Sequence, residues 1–155
     1  MASGRVVAIY TTQEAGASMN ACAEIAALEG VGLAGDRYAS GAGTYSSRGG
    51  DGRAVTLVAR EAIAAVNANG TALGDEETRR NLVTEGVALD DLIGREFRVG
   101  EVVLRGVRTC PPCAWLEGLT RPGVKDALEG RGGLRADVVR GGSIRVGDAV
   151  TAVEG

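Results

Sequence analysis

Histidine is absent from the 155-residue chain. Every His-based triad, every His general base and every His-ligated zinc or iron site is therefore excluded. Aromatic residues are nearly as scarce, at 3%, with one Trp, one Phe and three Tyr. A platform that stacks single-stranded bases needs several exposed aromatics, so no nucleic-acid partner is expected. The net charge is −3, and no block of basic residues could track a phosphate backbone. No apolar run approaches the ~18 residues of a membrane span, so no membrane partner is expected either. Met1 to Tyr10 holds a short apolar run, Val6 to Ile9, but no long hydrophobic region of an export signal. With three cysteines, an odd number, this points to a reducing, cytoplasmic setting. Three cysteines cannot close a Cys₄ zinc site, and Cys22 lies far in sequence from the other two. Chemistry is left to Cys, Asp/Glu, Arg or a bound cofactor.

What is present is a core of small and branched aliphatics, in a chain 45% hydrophobic. A chain of this length buries roughly 70% of its unfolded surface, so neither a metal nor a disulfide is required for folding. The β-branched run Arg5 to Tyr10 and the segment Ala54 to Ala59 read as strands. Arg60 to Ala68 follows with Ala62, Ile63 and Val66 on one helical face, ended by Asn69-Gly70. Leu89 to Gly94 reads as a short helical turn closed by glycine. Phe97 to Val99 and Val102 to Val107 form a hairpin about Gly100-Glu101. Pro122 to Leu128 reads as a helix with Pro in its first turn. Leu134 to Val139 and Ser143 to Val153 are closing strands, split by Gly141-Gly142. Asn20 to Glu29 is ambiguous between helix and strand by propensity. About seven short strands joined mostly by turns predict a single mainly β domain over residues 1–155. Its expected architecture is an antiparallel, barrel-like sheet with short helices.

Three segments carry candidate chemistry. In Thr109 to Leu116, Cys110-Pro111-Pro112-Cys113 is a C-x-x-C pair. Pro111 pushes Cys110 out of the helical region, and Pro112 suits the start of a short helix, Pro112 to Gly118. Cys113 would then sit in a first helical turn, where free amides and the helix dipole favour a thiolate. The plain alternative is a cysteine buried as a small hydrophobe. Arg79-Arg80-Asn81 could offer planar donors to a phosphate or pterin, or could be a solvated segment. The glycine-rich stretch from Gly30 to Gly52, with Asp36-Arg37 and Arg48, could cradle an anion through its amides. Of the 17 basic residues only Lys125 is Lys. Either a compositional bias or a use for bidentate anion binding accounts for that.

Read together, the segments resemble the MOSC domain, named for the C-terminal domain of molybdenum cofactor sulfurase. Gly32-Leu33-Ala34-Gly35-Asp36-Arg37-Tyr38 resembles the family's G-L-x-G-D-R-[HY], and Arg53 to Val58 with Glu61 its R-x-V-T-L-[IV]-x-x-E. Arg79 to Val83 resembles R-R-N-[LI]-V, and Leu92 to Gly100 resembles L-[IL]-G-x-x-F-x-[IV]-G. Cys110 to Cys113 resembles the C-x-P-C of small members, and Arg131-Gly132-Gly133 with Gly142 to Val150 the closing pattern. Six motifs stand in the family's order.

The resemblance implies a β-barrel-like fold with Asn20 to Glu29 as strand, and molybdenum-cofactor (molybdopterin) binding or handling of its sulfur. It makes Cys113 the reactive residue and molybdenum ligand, with Arg37, Arg79, Arg80, Asn81 and Cys110 around the cofactor. It also implies an oxidoreductase or sulfur transferase that, like some relatives, reduces N-hydroxylated compounds with an external electron donor. The alternatives are a persulfide carrier with no turnover of its own and a Cys110–Cys113 dithiol. No aminotransferase-like or reductase segment is expected, so the partner would be a reductase or a sulfur-donor or acceptor protein.

Overall fold

The computed structural model describes residues 3–12, 19–34, 36, 54–68, 70, 73–110, 128 and 132–153. Their strands are β1 (Ser3–Thr11), β2 (Asn20–Cys22), β3 (Glu24–Leu28), β4 (Gly32–Leu33), β5 (Val55–Ala59) and β6 (Leu82–Glu85). They continue with β7 (Glu96–Val99), β8 (Val102–Thr109), β9 (Leu134–Arg140), β10 (Gly142–Arg145) and β11 (Ala149–Ala152). An α-helix, α1 (Arg60–Ala68), joins β5 to β6, and 3₁₀ turns occupy Asp75–Thr78 and Leu89–Leu92.

Strand pairing runs β11-β7-β8-β9-β5-β6-β1, and β1 pairs back onto β11, so these strands close a barrel. β2 extends β1 outside the ring. A small sheet, β10-β3-β4, packs against the barrel by placing Ile144, Ala27 and Leu33 in the barrel's own core. Closure leaves the ring with no free edge. The interior is filled by alternate residues of each strand, such as Val55 and Leu57 of β5, Leu104 of β8, and Leu134, Ala136 and Val138 of β9. In β1 both Val6 and Ile9 reach this core, although they are three apart. A register shift between Val6 and Ala8 against β6 supplies the extra residue that lets both turn inward. On the outer face, Val58 and Val83 pack with Ile63 of α1, against Val7, Ala8 and Tyr10. The apolar stripe of α1 is covered there.

The structure departs from the sequence reading at two places. The sheet is not wholly antiparallel, because β5 and β6 run parallel, with Leu57 opposite Leu82. A parallel pair needs a crossover rather than a hairpin, and α1 is that crossover. The second place is Ser143 to Val153, read as one strand, which is two strands in different sheets. A turn at 146–148 separates them, with Gly147 at φ 98. Asp148 closes the turn by accepting the Arg145 N–H at 2.8 Å and donating its own N–H to the Arg145 carbonyl at 3.0 Å. By contrast α1 spans Arg60–Ala68 as read, and Asn20 to Glu29 forms strands β2 and β3.

Candidate functional site

The segment leading into β6 is assembled from an unusual set of buried polar groups. After the 3₁₀ turn Asp75–Thr78, Arg79 takes the left-handed conformation, φ 58, the only non-glycine with positive φ among the described residues. That conformation costs a residue with a Cβ on the order of 1 kcal/mol or more and persists only where the surroundings impose it. Arg79 and Arg80 are each only 8% exposed, and Asn81 is fully buried. The buried charged residues among those described are Asp36, Arg79, Arg80 and Arg135, three guanidinium groups against one carboxylate.

Each member of the run has a distinct task. Asn81 laces three strands. Its Oδ1 accepts from the Thr56 N–H at 3.0 Å and the Thr56 hydroxyl at 3.2 Å, and its Nδ2 donates to the Tyr10 carbonyl at 3.1 Å. Its backbone repeats the pattern, donating to the Thr56 carbonyl and accepting from the Tyr10 N–H. The amide thereby locks β1, β5 and β6 in register. Tyr10 itself has its phenol pKa pushed upward, first by burial and then by Asp75 and Glu76.

Arg80 forks onto three carbonyls. Nε donates to Gly132 at 2.9 Å, Nη2 to Cys110 at 2.9 Å and Nη1 to Thr78 at 3.3 Å. Cys110 and Gly132 flank the segment 111–131, which carries Cys113. The β8–β9 ladder ends at the pair Thr109 and Leu134, and the Cys110 N–H then donates to the Gly133 carbonyl at 2.8 Å. One guanidinium thus pins both ends of the cysteine-bearing segment just beyond the last rung of the sheet. Only Arg can do this, because its planar fork offers several donors at fixed angles.

Cys113 and Arg37 lie outside the described residues, as do the helices read at Pro112 to Gly118 and, Leu128 apart, at Pro122 to Leu128. So does most of the glycine-rich stretch. Among the described candidates, Arg80 and Cys110 are joined directly, and Arg79 and Asn81 adjoin them in the chain. Asp36, named with the glycine-rich stretch, is 1% exposed and accepts the Thr12 N–H at 3.2 Å. A further buried residue, Arg135, is not among the candidates of the sequence. Arg135 stands in β9, in register with Thr56 on one side and Arg108 on the other. Its only mark in the sequence is an Arg directly after Leu134 in a strand that otherwise carries Asp137 as its one charge before Arg140. No three Cys, Asp or Glu side chains converge as metal ligands among the described residues.

The two described cysteines differ in setting. β2 lies outside the ring and Cys22 is half-buried, its Sγ 3.7 Å from the Thr11 hydroxyl. Cys110 is the fully buried one. In a short iodoacetamide pulse, mapped by mass spectrometry, Cys22 is therefore expected to label ahead of Cys110 in the native protein. Faster labelling of Cys110 would mean that the neck of the 111–131 segment opens readily.

No helix among the described residues is long and apolar enough to cross a membrane. No curated protein matches the chain significantly. Among solved structures, the YuaD protein of Bacillus subtilis is similar with a TM-score of 0.78 at 16% identity, over 98% of this chain and 97% of that one. YiiM of Geobacillus stearothermophilus gives 0.74 at 16% identity, over 97% and 75% of the two chains. YiiM of Escherichia coli gives 0.69 at 19%, over 97% and 70%. At these identities the likeness is one of fold. The family model of the MOSC domain matches residues 44–151, most of the chain; five of the six motifs fall within that span, and Gly32 to Tyr38 precedes it. The chain belongs to the MOSC-domain family.

Proposed function

We propose that this MOSC-domain protein binds the molybdenum cofactor beside the Arg79–Asn81 wall and presents Cys113 as its thiolate ligand and reactive residue. The observation that carries this reading is the Arg80 fork, which fastens both ends of the Cys113-bearing segment to the start of β6. The residues fit such a group in two respects. Among the described residues, buried guanidinium groups outnumber buried carboxylates, which suits an anionic, phosphate-bearing pterin. Cysteine is the soft donor that molybdenum accepts, and no histidine competes for the role.

In this reading Arg79 and Arg37 donate to the anionic part of the ligand. Arg80 and Asn81 act as positioning residues, since Arg80 is committed to backbone carbonyls and Asn81 to Thr56 and Tyr10. Cys110, buried at the neck, is structural rather than a partner in a dithiol. When bound, molybdenum supplies two-electron chemistry. Reduction of an N-hydroxylated substrate breaks the N–O bond and consumes two electrons and two protons, leaving N–H and water. The electrons come from an external reductase, the partner this function requires.

The test is direct. The protein, expressed in cells that make the cofactor, is expected to co-purify with molybdenum by elemental analysis, whereas Cys113→Ser loses it and keeps the same melting curve. Retention of the metal by Cys113→Ser, or its absence from the parent protein, rejects the reading. A persulfide on Cys113 without molybdenum, seen by mass spectrometry, would establish the sulfur-carrier alternative instead.

A further inference from the structure

Past the C-terminal end of β6 the chain borders a cavity of ≈ 450 Å³, a size that holds a small organic molecule. It lies between the first turn of α1 and the segment 86–90, with Gly133 of the β9 approach in its wall. The residues Arg79 to Asn81 precede β6, and this cavity follows it, so the two sites use opposite ends of the same strand.

Its lining combines two kinds of surface. Ala62, Val87 and Leu89 supply apolar wall, whereas Glu61 and Asp90 supply two carboxylates, and among the described residues no basic one lines it. Glu61 is held in place, because its Oε2 accepts the Gly86 N–H at 2.8 Å. Asp90, in the 3₁₀ turn Leu89–Leu92, is exposed, and neither carboxylate forms an ion pair with a described residue. Glu61 also sits in the first turn of α1, where it offsets the positive end of the helix. The described lining therefore carries one sign of charge beside apolar wall, an arrangement that draws in a counter-charge.

We propose that this cavity binds a small organic cation, a primary ammonium carried on an apolar body. An anion is repelled by the two carboxylates. A bare divalent cation is poorly served, since hard cations take about six oxygen ligands and most of this lining is carbon. An ammonium group between Glu61 and Asp90, with its hydrocarbon portion against Val87 and Leu89, satisfies both surfaces. The proposal is independent of the molybdenum reading, because it involves neither Cys113 nor the arginine wall.

Benzylammonium is the probe, titrated into the full chain at neutral pH and followed by methyl and amide NMR, with benzyl alcohol as its neutral counterpart. Glu61→Gln and Asp90→Asn are the variants. Glu61→Gln keeps an acceptor for the Gly86 N–H, and Asp90 is exposed, so both fold, as their melting curves will show. Saturable binding in the millimolar range or tighter is expected, with shifts centred on Val87 and Leu89, weakened by added salt. Each variant should lower the affinity about two- to fivefold, the worth of a partly solvated ion pair, and benzyl alcohol should be insensitive to both. Equal affinity for benzylammonium and benzyl alcohol, unchanged affinity in both variants, shifts centred elsewhere, or no saturation each overturns the proposal. None of these outcomes bears on molybdenum content.

Discussion

Gly133→Ala is expected to leave little folded protein at 37 °C. Gly133 has φ 117, a region that residues with a side chain rarely adopt, and a Cβ there would fall well inside van der Waals contact distance of the Leu57 carbonyl oxygen. The obstacle is backbone of β5 within the barrel wall and cannot swing aside as a flexible side chain would. Relief requires β9 to move from β5, which breaks the Leu57–Leu134 pairing and the Cys110 N–H to Gly133 carbonyl bond together. The combined steric and conformational cost is about 4 kcal/mol or more, comparable with the whole stability of a marginal domain. Gly147→Ala is the control. Its φ is 98, but nothing lies within 4 Å of the added Cβ, so it carries only conformational strain of about 1–2 kcal/mol. Urea denaturation of the two variants checks this: similar midpoints would mean that the β5–β9 seam yields easily and that close approach at Gly133 is not what the glycine serves.

Arg80→Met is expected to cost about 3–5 kcal/mol while leaving the barrel's strand content intact where the protein still folds. Methionine fills much of the volume along the side-chain stem but donates nothing. The carbonyls of Cys110, Gly132 and Thr78 then lose charge-assisted hydrogen bonds in a site that is only 8% exposed. Arg80→Lys should recover only part of the loss, because a single ammonium cannot span carbonyls placed for a planar fork. The local effect is more diagnostic than the global one. Freed at its neck, the 111–131 segment should expose Cys110 to alkylation in conditions where Cys22 labelling is unchanged. Arg80→Met within about 1 kcal/mol of the parent, with Cys110 still protected, would show that the fork is not what holds the segment.

The sequence alone carried the family, the β-rich class and most elements, for reasons visible in particular residues. Ile63 and Val66 have helical spacing and Gly100-Glu101 sits between two apolar runs, so α1 and the β7–β8 hairpin could be read from local pattern. The absence of histidine restricted the chemistry before any fold was known. The motif order picked out Arg79, Arg80 and Asn81 as site candidates, but it could not say which of them faces a ligand and which holds the frame. The tertiary structure shows two of them holding the frame: Asn81 is taken up by Thr56 and Tyr10, and Arg80 by Cys110 and Gly132. The physical reason is separation along the chain. Residue 80 meets residues 110 and 132, and residue 12 meets residue 36, only because the tertiary fold brings segments distant in sequence together. The same is true of the parallel β5–β6 pair and of the break in the last strand at Gly147, where partner choice and not local propensity decides. Periodicity reports which face of an element is buried. What that face is buried against, and which buried arginine becomes a clamp, is settled only when the ring closes.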